Sequence, residues 1–212
     1  MAESISVKIC GLTNYEDALL AAELGAFALG FNFYKKSPRY LSPEQAKEII
    51  AQLPKKTWKV GVFVNASRDE ITETADLAGL DMIQLHGNES LESCQGWGKY
   101  RVIKGVRVGK GAPDVEMQNY IDTVDHLLID HYTPGEFGGT GEMVDDEFLR
   151  TLSRQGMLKD AFLAGGLTPE NVAAKVKLYQ PYGIDVASGV ESSPGKKDPT
   201  LLKAFFAAIN GI

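Results

Sequence analysis

Cysteine is scarce in this chain: of 212 residues only Cys10 and Cys94 carry a thiol, and only three are histidine. Two distant cysteines cannot make a disulfide framework, which fits the reducing cytoplasm. No spacing of histidine, cysteine and carboxylate resembles a metal site, so no metal is expected. Apolar runs long enough to span a bilayer are also missing. The first residues, Met1 to Ser6, hold no basic stretch followed by an apolar one, so neither export nor membrane insertion is expected. Positive charge is in deficit: 22 Lys and Arg against 28 Asp and Glu give a net charge of -6, which repels nucleic acid and anionic membrane. Proline-rich, serine-rich and single-charge runs are absent, so residues 1–212 are expected to form one domain.

What the chain does contain is a repeating alternation of short apolar runs and capped amphipathic segments. Val7–Ile9 reads as a strand, Asn14 caps the helix that follows, and Gly25 closes it. Phe27 to Phe33 is a second strand, after which Ser42-Pro43-Glu44-Gln45 supplies cap, first-turn proline and capping-box partner. Trp58 to Val64 precedes a capping box at Ser67 and Glu70 and a helix ending near Gly79. Asp81 to Leu85 is the fourth strand, with Asn88 read as the next cap. Tyr100 to Val106 is the fifth, its helix expected near Asp114 to Ile121. His126 to Asp130 leads to a helix from about Asp145, and Ala161 to Ala164 to one opened by Thr168-Pro169. Gly183 to Ala187 leads to a last helix capped by Asp198-Pro199 and ending near Asn210. Eight strands alternating with eight helices, about 25 residues per unit, predict a (β/α)₈ barrel of parallel strands. An open doubly wound sheet is the alternative.

In such a barrel the working residues lie at the carboxyl ends of the strands. Cys10 ends the first strand, where a thiol can act as base or nucleophile; a buried cysteine filling core space is the plainer reading. Asp130 ends the sixth. Loss of solvation at that depth favours the protonated carboxyl of a general acid, while capping of loop amides is the other use. The loop beyond it, with Gly135, Gly138, Gly139 and Gly141, could close over a substrate. Arg39, stiffened by Pro38, suits a carboxylate, whereas Lys35 and Lys36 read as solvated charges. Gly165-Gly166 and Ser188-Gly189 follow the seventh and eighth strands, the positions this fold uses for phosphate. Tight turns alone would also explain them. His86 reads equally as catalytic or as support for a neighbour, His126 and His131 carry less, and Cys94 reads as structural.

Taken together, Lys8-Ile-Cys-Gly-Leu-Thr13, Ser37-Pro-Arg-Tyr40, Gly61-Val-Phe-Val-Asn65, Gln84-Leu-His-Gly87, Leu128-Ile-Asp130 with Gly138-Gly-Thr-Gly141, Ala164-Gly-Gly-Leu167, Asp185 to Glu191 and Pro194-Gly-Lys-Lys-Asp198 resemble the phosphoribosylanthranilate isomerase family over nearly the whole length. The resemblance implies an Amadori rearrangement in tryptophan biosynthesis, without cofactor, on a small phosphorylated substrate, by a monomer or homodimer. It places Cys10 on the general base, Asp130 on the general acid, Arg39 on the carboxylate-binding arginine, and the phosphate at Gly165, Gly166, Ser188 and Gly189. Met143-Val144-Asp145-Asp146 and Ala187 depart from the family pattern in loop packing. Two other readings stand beside this one. A histidine-pathway aminoaldose isomerase resembles it but has aspartate where Cys10 stands, and a silent phosphosugar-binding barrel would bind without turnover.

Overall fold

The computed structural model describes residues 5–110, 117–133 and 143–211. Eight parallel strands close into a barrel: β1 (Ser6–Ile9), β2 (Ala28–Asn32), β3 (Trp58–Phe63), β4 (Met82–Leu85), β5 (Arg101–Val108), β6 (His126–His131), β7 (Ala161–Leu163) and β8 (Gly183–Val186). Each pairs with its successor, and β8 returns to β1 with Lys8 in register with Asp185. Closure removes the sheet edge, so the strands read as apolar on both faces. Among the described residues seven α-helices surround them: α1 (Tyr15–Glu23), α2 (Pro43–Ile50), α3 (Arg68–Ala78), α4 (Met117–Ile121), α5 (Asp146–Arg154), α6 (Val172–Tyr179) and α7 (Pro199–Asn210). None of these helices is long and apolar enough to cross a membrane. A small antiparallel hairpin, β9 (Glu191–Ser193) with β10 (Lys196–Lys197), is inserted between β8 and α7.

Local chemistry fixes most helix starts where the sequence puts them. Asn14 accepts the Asp17 N–H, and Ser42 and Gln45 form a reciprocal capping box ahead of Pro43. Ser67 makes half of its box, accepting from Glu70 N–H, and α3 ends on Gly79 at φ +74. Asp145 and Asp198 each take two N–H groups at the starts of α5 and α7. Caps of this kind are worth about 1 kcal/mol each.

Two expectations need correction. The fourth unit has no α-helix among the described residues; after β4 the chain makes only the short 3₁₀ turn Glu92–Cys94. Asn88 is not its cap: its N–H goes to the Asn65 side chain, while Glu89 accepts from Asn65 N–H and Gly87 N–H. Ser90 takes the Ser93 N–H, and Gly96 and Gly98 follow at positive φ, so local side-chain bonds and glycine outcompete a helix. Cys94 in that turn is buried, as a structural residue should be. The seventh helix begins at Val172, because 168–171 form a turn in which the Asn171 side chain accepts the Thr168 N–H. The expected helix near Asp114 begins at Met117 within the described residues; 111–116 lie outside them.

Inside the barrel, Ala28, Val60, Met82, Ile103, Leu128, Phe162 and Ala164 form an apolar layer. Phe27, Trp58 and Tyr182 pack against it with His126, whose ring stacks 4.2 Å from Tyr182 and meets Phe162 edge-on. Larger apolar clusters fill the space between sheet and helices, each buried Leu, Ile or Phe contributing about 1.5–3 kcal/mol. The barrel's buried polar groups, including Lys8, Gln84, His86, Asp130 and Asp185, therefore sit on a filled apolar base rather than in a pore.

Candidate active site

The two-residue period of β1 turns Lys8 and Cys10 to the same side. Lys8 is fully buried and donates to Asp185 Oδ1 at 2.8 Å across the β1–β8 seam. Its ammonium also lies against the Cys10 thiol. Gly30 on β2 makes the room: a Cβ there would stand 2.8 Å from Cys10 Sγ and 3.2 Å from Lys8 Nζ. Cys10 N–H donates to Val186 O at 2.9 Å, its carbonyl accepts from Lys197 Nζ at 2.6 Å, and its side is half-open. Burial pushes the thiol above its ordinary range, opposed chiefly by the Lys8 charge and less by Lys197. Two lysines thus favour the thiolate, and in the free protein burial outweighs them.

Asp130 is buried at the end of β6, with Oδ1 accepting its neighbour His131 N–H at 2.9 Å and Oδ2 lying 3.3 Å from His86 Nε2. Behind His86, Gln84 Nε2 stands 3.0 Å from Nδ1, and Gln84 Oε1 is buried without a partner among the described residues. With the amide so placed, Nδ1 accepts and Nε2–H donates to an ionised Asp130. Turning the amide over would let Nδ1–H donate to Oε1 and free Nε2 to accept from a protonated Asp130. The Gln84–His86 pair can therefore serve Asp130 in either protonation state. The glycine-rich loop 135–141, read from sequence as a possible cover, lies outside the described residues. Just beyond it, Val144 is buried beside Leu149 and Leu152, so the departure from the family pattern there fills a core position.

Asp130, Gly165, Gly166, Asp185, Ser188 and Gly189 line one cleft. Gly165 and Gly166 hold φ of +83 and +60, a region that favours glycine, and their N–H groups bond to nothing among the described residues. The Asn171 amide braces the turn by donating to Gly166 O at 2.8 Å. A Cβ on Gly189 would lie 1.8 Å from Leu167 O, so the seventh and eighth loops touch backbone to backbone. The seventh loop does not run straight into a helix, since α6 begins only at Val172, and the eighth makes a short 3₁₀ turn at Ser188–Val190.

Arg39 is buried in the second loop, its Cδ resting where Gly11, at φ +74, leaves no side chain in the way. Lys35 and Lys36 are exposed. Arg39 is already paired: Nε donates to Glu191 Oε1 at 2.9 Å and Nη2 to Oε2 at 2.7 Å. The Glu191 hydrogen bonds raise the guanidinium further above its ordinary value. Sequence reasoning missed Lys8, Gly30, Asp185, Glu191 and Lys197. The available signal was charge inside apolar strands, as in Val7-Lys8-Ile9 and Ile184-Asp185-Val186.

The family described as N-(5'phosphoribosyl)anthranilate (PRA) isomerase matches residues 7–208. A curated N-(5'-phosphoribosyl)anthranilate isomerase of Citrifermentans bemidjiense is 48% identical, covering 95% of each chain. The structure of phosphoribosyl anthranilate isomerase from Thermotoga maritima is 40% identical with a TM-score of 0.85, covering 98% of this chain and 100% of that one. A phosphoribosyl anthranilate isomerase solved with reduced 1-(o-carboxyphenylamino)-1-deoxyribulose 5-phosphate is 38% identical with a TM-score of 0.83, over the same shares.

Proposed function

The chain belongs to the family of N-(5'-phosphoribosyl)anthranilate isomerases of tryptophan biosynthesis, and from that premise we propose that Asp130 and Cys10 divide the acid and base work of its Amadori rearrangement. Asp130 gives a proton to the furanose ring oxygen. The ring C1–O bond breaks as the anilino nitrogen lone pair forms an iminium at C1. Cys10, as thiolate, removes the proton on C2, and the C2–H electron pair runs through C1 to neutralise the nitrogen. The resulting enolamine takes a proton at C1 and loses one from the C2 hydroxyl to give the ketone, so the composition is unchanged and no cofactor takes part. Backbone N–H groups at Gly165, Gly166, Ser188 and Gly189 hold the phosphate, Arg39 holds the anthranilate carboxylate, and the reacting carbons are fixed between them. The two free thiols suit a cytoplasmic setting.

The observation that carries this reading is the position of Asp185. It lines the same cleft as Asp130 and the glycine loops, and it holds the lysine that lies against Cys10. A buried lysine–aspartate pair adds little net stability. Its use is to fix a positive charge beside the thiol. The test follows the fluorescence of freshly made phosphoribosylanthranilate with wild type, Cys10→Ser and Asp130→Asn, without added metal. Both variants are expected to bind the reduced product and lose at least ~100-fold in kcat. Near wild-type kcat in either would remove that residue from its role.

A further inference from the structure

The geometry points to Glu191 as the positioning residue that sets Arg39 for the substrate carboxylate, with Lys197 as its anchor. The inference rests on the reading of Arg39 just given. Glu191 and Lys197 belong to the β9–β10 hairpin, an insertion that an eight-unit barrel does not need for closure. The hairpin is tied across the first loop: Thr13 Oγ1 donates to Gly195 O, and Lys197 N–H donates to Asp17 Oδ2 at 2.7 Å. Gly195 takes φ +82, and a Cβ there would meet Thr13 Cγ2 at 3.1 Å.

Within this frame one carboxylate joins two loops, and Lys197 carries the tie on to a third. Glu191 Oε1 accepts from Arg39 Nε at 2.9 Å, Lys197 Nζ at 2.9 Å and Gly195 N–H at 3.2 Å; Oε2 accepts from Arg39 Nη2 at 2.7 Å. Lys197 spends its other two donors on Cys10 O at 2.6 Å and Ala187 O at 3.0 Å. The same pair of side chains thereby fixes both the backbone of the thiol and the plane of the guanidinium. Two positive charges and one negative leave a single positive charge, the complement of one carboxylate. Arg39 Nη1 makes no hydrogen bond among the described residues, so a ligand finds a free donor on a guanidinium whose ordering entropy was lost on folding rather than on binding.

The test compares binding of two ligands, the reduced product 1-(2-carboxyphenylamino)-1-deoxyribulose 5-phosphate analogue and its counterpart without the carboxylate, to wild type, R39A, E191Q and R39A/E191Q. Wild type should prefer the carboxylated ligand by about tenfold or more, R39A should lose the preference, and E191Q should lose most of it. The double variant should match R39A within about twofold, because Glu191 acts through Arg39. A purely structural role would weaken both ligands alike and leave their ratio intact, which overturns the inference while sparing Arg39. Absence of any preference in wild type would instead remove the Arg39 reading, and this inference with it. If E191Q does not fold, E191D decides: it keeps the charge but shortens the reach, so a reduced preference supports the assignment and an unchanged one overturns it.

Discussion

Gly30→Ala adds one methyl group beside both the thiol and the buried lysine, and its effect can be worked from interatomic distances. The new Cβ would lie 2.8 Å from Cys10 Sγ, 3.1 Å from Cys10 Cα and 3.2 Å from Lys8 Nζ. Non-bonded heavy atoms settle at about 3.5–4.0 Å, so the thiol has to move by about 1 Å. The clash with the Cys10 backbone cannot be relieved by a change of rotamer. Overpacking of this kind costs about 1–3 kcal/mol, while replacing a strand glycine by alanine returns about 0.4–1 kcal/mol through the unfolded chain. The clash wins, and a net loss of about 1–2 kcal/mol lowers Tm by about 2–8 °C for a chain of this size. Turnover should suffer more, since a 1 Å displacement of a reacting group costs about 100-fold. Circular dichroism melts and the fluorescence assay read the two quantities separately. A variant with wild-type kcat and an unshifted Tm would refute the packing argument and the placement of Cys10 and Lys8 that it rests on.

Three other perturbations probe the buried titratable groups. Because burial holds the Cys10 thiol above its ordinary range, the thiolate fraction, and with it the rate at which Cys10 of the free protein is alkylated, should rise about tenfold per pH unit through neutrality; a rate that levels off between about pH 6 and 8 would refute the raised thiol. Lys8→Met removes the charge that opposes burial, so the alkylation pKa of Cys10 should move higher still, with a stability loss of about 3–5 kcal/mol from the stranded Asp185. His126 is held below its ordinary value mainly by burial, so the unfolded chain takes up its proton first as pH falls. Its neutral form therefore stabilises the protein above about pH 6.5, and that stability is lost as the pH drops from there toward the depressed folded value. In His126→Phe the drop in Tm between pH 7.5 and 5 should be smaller than in wild type; an equal drop would locate the acid sensitivity elsewhere.

The barrel is legible in the sequence because its determinants are local. Caps at Asn14, Ser42, Ser67, Asp145 and Asp198 bond to N–H groups within three residues, and each reads directly from the chain. After β4, where the expected helix failed, the local turn at Ser90 is joined by interactions from further away. Glu89 would open a helix by its own propensity, but its carboxylate is drawn inward to Lys104 Nζ at 2.8 Å, fifteen positions on, and to the Asn65 N–H. A short segment with two serines and two nearby glycines has too little apolar surface to resist that pull.

The site divides along the same line. Residues at strand ends could be proposed because position alone suggests function in this fold, so Cys10, Asp130 and the two glycine loops needed no knowledge of their neighbours in space, and Asp130 and the loops do line one cleft. Lys8, Asp185 and Glu191 were not found, because what each does is defined by a partner 177 or 152 positions away. Taken alone, a lysine inside a strand reads as a defect in the apolar pattern, and a glutamate after the last strand as ordinary surface charge. Only when β8 closes on β1 does Lys8 meet its carboxylate, and only when the hairpin folds over the first two loops does Glu191 meet Arg39. Closure of the barrel therefore makes the fold and completes the site in one step: the β1–β8 seam that removes the last sheet edge also places the ammonium beside the thiol. That links stability to chemistry at a definite place, for a substitution that loosened the β1–β8 seam would disturb the charge beside Cys10 before it exposed the apolar layer beneath.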